Sequence, residues 1–356
     1  MTMPKERRYD IDWLRVIAIG LLLVYHTAIG FQPWGVLLGF ITNASSWPAL
    51  WPPMTMLNIW RIPLLFFIAG MGTFMAIGSR DWKQVITERV KRIGLPLLFG
   101  ALCIVPLHIL LIQLYYKRQS SYMPGLGHLW FLANILVYVL LLLPLFYFFK
   151  KRENSRMAIF IRHRAGAMSL LLLIVLVMAV ESVLLEPAIF ELYAFTAHGF
   201  VLGLLGFLFG YLVMYSGKNF KDMLVRWRWF FVLGAFLLFL LRLEQVLGQH
   251  PVYLLSIESN CWIFSLLGFA GKYLNRPGAM LSYLKDAAYP VYIIHMAVLY
   301  AGSMLIFPLE IEPWIKYFLL LASTFAGSLL VYELLIRRVS LIRILFGLKK
   351  RGKNKS

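Results

Sequence analysis

The sequence predicts an all-α, polytopic membrane protein with about ten transmembrane helices and both termini in the cytoplasm. Three observations lead there. The 356 residues are 61% hydrophobic and 14% charged, with a mean hydropathy of +0.75, which is more apolar surface than a water-soluble domain can cover. Apolar stretches near the roughly 20 residues needed to cross a bilayer core recur along the whole chain. Lysine and arginine alternate in density from one connecting loop to the next.

The spans fall near 11–31, 56–78, 93–115, 128–149, 166–185, 198–215, 229–247, 253–274, 287–307 and 314–336. Lys5, Arg7 and Arg8 precede the first, but no small-residue cleavage site follows, so it reads as a retained helix and not as a signal peptide. The amino tail, the even-numbered loops and the carboxyl tail hold nearly all the cations, among them Arg80, Lys83, Lys150, Lys151, Arg152, Arg162 and Arg164. The odd-numbered loops hold only Lys117 and Arg118. The positive-inside rule then puts both tails in the cytoplasm, which requires an even number of spans. One membrane domain uses residues 1–356, ending in a short basic tail at about 338–356 that includes the run Lys349 to Lys355.

Several classes are excluded on the same evidence. A net charge of +19 would suit nucleic acid on a soluble domain, but these cations lie in blocks between apolar stretches and serve topology. Cys103 and Cys261 both sit in apolar stretches and indicate neither a disulfide framework nor a thiolate metal site. No histidine pair has the spacing of a helical zinc site and no Gly-rich loop with its lysine appears, so no metal is expected. The first outer loop, from Phe31 to Thr55, carries Trp34, Trp47 and Trp51. They read either as a sugar-stacking rim or as an interfacial aromatic belt.

An ionisable side chain at membrane depth costs a few kcal/mol on insertion scales and therefore needs a partner, water or a function. Arg15 and His26 share the first span eleven residues apart, nearly on one face and about 16 Å along the axis. Arg15 lies close enough to the cytoplasmic end for snorkelling to explain it as well. Arg61 in the second span, Glu258 in the eighth and His128 at the start of the fourth fall at about the depth of His26. Either a shared water-filled pocket or pairwise bridges, such as Arg61 with Glu258, would account for them. His295 sits near mid-membrane in the ninth span, open to structure or chemistry alike, while His108 in the third reads as a core hydrogen-bonding residue. Arg89, Lys91 and Arg92 meet where the third helix is expected to begin. With the partial positive charge of a helix amino terminus they would suit a polyanion such as the phosphates of coenzyme A, or would simply anchor topology.

Four segments resemble the acyltransferase-3 family of bacterial membrane proteins, and within it the glucan-biosynthesis group. They are YDIDWLRVIAIGLLLVYH from Tyr9 to His26, RIPLLFFIAG from Arg61, ERVKRIGLP from Glu88 and GHLWFL from Gly127. IES around Glu258 and YPVYIIHM around His295 match more weakly. The resemblance implies transfer of a short acyl group, acetyl or succinyl, from cytoplasmic acyl-coenzyme A to a hydroxyl of an extracytoplasmic glycan or related acceptor, in the bacterial inner membrane. On that footing His26 is the expected general base. Arg61 and Glu258 are expected beside it, Arg61 stabilising the oxyanion and Glu258 orienting Arg61 or the sugar, with the two roles exchangeable. Arg15, Arg89, Lys91 and Arg92 are expected on the coenzyme, and Asp12, His128, Trp130 and His295 around the substrate. The rival readings are a transporter that uses the intramembrane charges as a pathway, and a scaffold subunit whose basic tail meets anionic lipid or protein.

Overall fold

The computed structural model describes residues 7–152, 154–246 and 251–349. Lys5 and all of the basic tail beyond Lys349 lie outside the described residues. Ten helices among them are long and apolar enough to cross a membrane. They are α1 (Tyr9–Ile29), α2 (Trp51–Ile77), α3 (Trp82–Tyr115), α4 (Trp130–Lys151), α5 (Arg164–Leu185), α6 (Ala197–Ser216), α7 (Lys218–Leu243), α8 (Val252–Tyr273), α9 (Ala279–Ile306) and α10 (Pro313–Val331). Short helices at Arg156–Arg162 and Ser340–Leu345 flank the spans.

The expected spans all appear, but α2, α3, α7 and α9 begin earlier than hydropathy places them; in α3 and α7 the added first turns are polar, with Lys83 and Gln84 in one and Lys218 and Asn219 in the other. The start of α3 is set by a reciprocal cap. The Asp81 carboxylate accepts from the amide of Gln84 at 2.9 Å, and the Gln84 side chain accepts from the amide of Asp81 at 3.3 Å, so two helix-end donors are satisfied together. Two π-helical turns, Val90–Gly94 and Gly100–Ile104, interrupt α3 further on.

The chain divides into two compact units interleaved along the sequence. The first is formed by the described parts of Met1–Ala18, Met56–Val85 and Val137–Lys285. Without a hydrophobic drive between helices in lipid, close backbone approach at small residues does much of the holding. A Cβ on Gly70 of α2 would collide with the carbonyl oxygen of Phe207, and one on Gly210 of α6 with that of Phe67. Phe146 of α4 stacks on Tyr211 of α6 with centroids 3.9 Å apart, and the Tyr211 hydroxyl donates to the carbonyl of Phe146 at 3.1 Å. Replacing Gly210 with Leu is expected to cost about 1–3 kcal/mol through overpacking, read as a lowered melting temperature in detergent; an unchanged melt would show that α2 and α6 do not depend on this contact.

Pro63 inside α2 removes the amide that would have bonded the Ile59 carbonyl. Ser259 of α8 and Tyr193 donate hydroxyls to that carbonyl instead, at 2.8 and 3.0 Å. A freed acceptor at membrane depth is thereby satisfied within the protein.

The second unit is formed by Ile19–Thr55, Ile86–Leu136 and the described part of Asp286–Ser356. Its core is an aromatic cluster that includes Phe31, Phe40, Tyr300, Phe307 and Tyr317. The loop between α1 and α2 closes onto it. Trp47 meets Tyr317 edge to face at 5.5 Å, and the Tyr300 hydroxyl donates to the carbonyl of Gly39 at 2.9 Å. Trp34 and Trp51 meet edge to face, with Trp51 half exposed. The ammonium of Lys316, buried in α10, donates to the Phe307 carbonyl at 2.7 Å and to Asn43 Oδ1 at 3.2 Å. In α3 the carbonyl of Leu102, freed by Pro106, accepts the Tyr122 hydroxyl at 2.9 Å.

Candidate functional site

The second unit gathers four histidines from four spans. His26 is on the last turns of α1, and its Nδ1 lies 2.9 Å from Nε2 of His295 on α9. The two rings are nearly parallel, 16° apart with centroids at 5.2 Å. His295 is fully buried, and its own Nδ1 lies 2.6 Å from the carbonyl oxygen of Tyr292. A carbonyl only accepts, so this Nδ1 carries the hydrogen. Nε2 of a neutral His295 is then an acceptor, and Nδ1 of His26 must donate to it. The chain of bonds fixes the tautomer of His26 and leaves the lone pair on its Nε2.

His128, in the turn that opens α4, stands perpendicular to His295 with centroids 5.1 Å apart. Its Nε2 donates to the carbonyl of Ile293 at 3.1 Å, while Tyr292 donates its hydroxyl to the carbonyl of His128. The ring centroids of His108 of α3 and His128 are 5.5 Å apart. Nδ1 of His128 and Nδ1 of His108 are both buried without a hydrogen-bond partner among the described residues. His108, expected as a core hydrogen-bonding residue, therefore belongs to the histidine group. Trp130 follows His128 by two residues and is half-buried, its ring edge-on to Phe131 at 6.3 Å.

Arg61 and Glu258 lie in the first unit and share a network with Asn58, Glu191 and Arg242. Arg61 and Glu258 are 2% and 1% exposed. Arg61 Nη2 donates to Asn58 Oδ1 at 3.4 Å, and Asn58 donates to the carbonyl of Glu191 at 3.5 Å. Arg242 of α7 binds Glu258 through Nε and Nη2, both at 2.9 Å, and reaches the Glu191 carboxylate at 3.2 Å. The Trp262 indole donates to Glu258 at 3.4 Å. This fork is the planar geometry that arginine offers a carboxylate. On the first turns of α1, Asp12 accepts from Arg15 and Arg7, each at 3.5 Å, and Asp10 is bound by Arg8.

Arg89, Lys91 and Arg92 lie in the second unit and differ from the expectation in one respect. The helix does not begin at them. It runs from Trp82, so these cations occupy its interior, at the first π turn, and gain nothing from a helix terminus. Arg92 is half exposed and bound to Glu88 one turn earlier at 3.0 Å. The cationic character of the segment comes from its side chains alone.

Sequence reasoning did not name Arg242, Glu191, Lys316 or the buried pair Glu181 and His198, whose Oε1 and Nδ1 are 3.0 Å apart. Arg242 and Lys316 carried a legible signal, since each is a cation counted inside a span. Among the described residues no three His, Cys, Asp or Glu side chains converge as metal ligands.

The chain is thus a multi-pass membrane protein whose polar chemistry lies inside its spans. The family model described as an acyltransferase domain matches residues 8–333; the chain belongs to the acyltransferase-3 family and is a membrane-bound acyltransferase. Among curated proteins it is similar to glucans biosynthesis protein C of Escherichia coli O1:K1, 23% identical over 391 aligned residues that cover 98% of this chain and 96% of that protein. The same protein from Escherichia coli O45:K1 strain S88 and from strain UTI89 shows the same identity and coverage. No solved structure matches.

Proposed function

We propose that this enzyme transfers an acetyl or succinyl group from acyl-coenzyme A to a hydroxyl of an extracytoplasmic glycan or related acceptor, with His26 as general base. The observation that carries this reading is the chain of hydrogen bonds from His26 through His295 to the Tyr292 carbonyl. It holds one ring nitrogen of His26 as a donor and so presents the other as the basic atom, which is what a general base requires.

In the proposed step the acceptor hydroxyl gives its proton to Nε2 of His26 as its oxygen attacks the thioester carbon. The carbon–sulfur bond then breaks, the thiolate takes the proton back from Nε2, and ester and free thiol leave with His26 neutral again. While His26 is charged, its Nδ1–H bond to His295 strengthens, because a charged donor binds more strongly than a neutral one. Arg89, Lys91 and Arg92 hold the donor's phosphates. The density of lysine and arginine in alternate loops supports a cytoplasmic position for this segment and for both chain ends, in the bacterial inner membrane. The glucan-related name of the relatives supports a sugar acceptor.

The test uses purified protein in detergent, where no membrane gradient exists. Free thiol is expected from acetyl- or succinyl-coenzyme A when a glycan is supplied, measured by a thiol-reactive dye. A transporter or a scaffold releases none, and absence of release with both donors ends the proposal.

A further inference from the structure

The end of α10 carries a feature that the acyl-transfer step does not use. The helix closes in a π turn at Tyr332–Ile336, the chain turns, and the short helix Ser340–Leu345 follows. A cleft of about 650 Å³ opens here, lined by Asp286, Glu333, Arg337, Arg338 and Arg343 with Tyr332 and Leu348. That volume is within the range of small-molecule sites, and its lining is ionic where the spans are apolar.

Two of the three arginines are positioned by the protein. Arg337 is bound by both oxygens of Glu333 at 2.8 and 3.0 Å. Arg343 donates Nη1 to the carbonyl of Arg337 and Nε to that of Lys349, both at 3.0 Å. A guanidinium has five donors in a fixed fork, so Arg343 keeps three N–H groups beyond these two bonds. Arginine in such a fork is suited to phosphate oxygens, which it engages in pairs.

The position of the cleft supplies the second argument. The carboxyl segment sits on α3 at the turn that carries Lys91 and Arg92. Phe346 meets Phe99 edge to face at 5.5 Å, and a Cβ on Gly347 would come 2.7 Å from the carbonyl oxygen of Arg92 and 2.9 Å from the Tyr289 ring. Gly347 has φ +72°, a conformation that favours glycine, so this contact is specified by the sequence. The cleft and the basic turn of α3 thus belong to one corner of the second unit, and two independent stretches of the chain bring cations to it.

We infer that this cleft is a phosphate-binding subsite for the nucleotide end of the coenzyme A donor, with Arg338 and Arg343 as its ligands and Asp286 as an opposing charge that limits affinity. The inference rests on the donor proposed above. Phosphates of anionic lipid headgroups share the chemistry, since Leu341 and Val339 are exposed beside the arginines as on a membrane-surface segment.

The experiment compares acetyl-coenzyme A with S-acetyl-pantetheine, which has the thioester and no phosphate. The measure is the ratio of the two kcat/KM values for the purified full chain. Arg338→Ala with Arg343→Ala is expected to lower that ratio about tenfold or more. Asp286→Asn is expected to raise it severalfold, a sign that misfolding does not produce. An unchanged ratio in both variants overturns the subsite. Loss of stabilisation by phosphatidylglycerol micelles with an unchanged ratio also overturns it and assigns the cleft to lipid. If the wild-type enzyme releases no thiol from acetyl-coenzyme A, the donor reading itself has failed; if it does so while the variants keep the ratio, only the subsite has failed.

Discussion

Replacing His26 with Ala is expected to lower kcat for glycan acylation about 10³-fold, the middle of the range for a positioned general base. The protein should still fold, because His26 is only half-buried and its ring meets Phe40 and His295 without holding a buried charge. An unaltered elution volume and melting temperature would establish that. The partner gives the sharper test. His295→Leu removes the acceptor for Nδ1–H of His26, so the base loses its fixed tautomer, and kcat should fall about 10²-fold with little change in KM. His295→Gln offers a carbonyl oxygen to His26 and an amide to Tyr292, and should recover part of the loss. Thiol release by the Ala variant within tenfold of wild type would remove His26 as the base. Equal activity of the Leu and Gln variants would remove the tautomer argument.

The second large effect is on stability. Arg242→Ala should destabilise the protein by about 3–5 kcal/mol, because it strands the Glu258 carboxylate, which is 1% exposed, and takes a cation from Glu191. Thermal unfolding in detergent measures it. Adding Glu258→Gln to the Arg242→Ala variant should restore part of the loss, since a neutral amide is cheaper to leave buried than a carboxylate. A loss below about 1 kcal/mol in the single variant would mean that the fork does not hold the first unit together.

The architecture was legible because lipid imposes it. A span must be long, apolar and internally hydrogen bonded, and all ten left that trace. Boundaries were less legible where polar turns extend a helix past its apolar stretch, as at Trp82, although Asp81 and Gln84 spell out a capping pair. The presence of His26, Arg61 and Glu258 at depth was readable one helix at a time. Their partners were not. His26 and His295 are 269 residues apart, and only helix packing decides that their rings meet. Glu258 was open to pairing with Arg61, whereas the geometry of α7 and α8 gives its carboxylate to Arg242. Depth along a span follows from counting residues, while direction around it depends on neighbours that no periodicity names.

Pro63, Ser259 and Tyr193 form a set that evolution cannot easily alter one member at a time. Restoring an amide at position 63 would give the Ile59 carbonyl a third suitor and leave the two hydroxyls competing for it. Removing the hydroxyls while the proline stays would expose an acceptor to hydrocarbon. Drift at these three positions should therefore be correlated across descendants of this sequence, with the proline retained wherever both hydroxyls are.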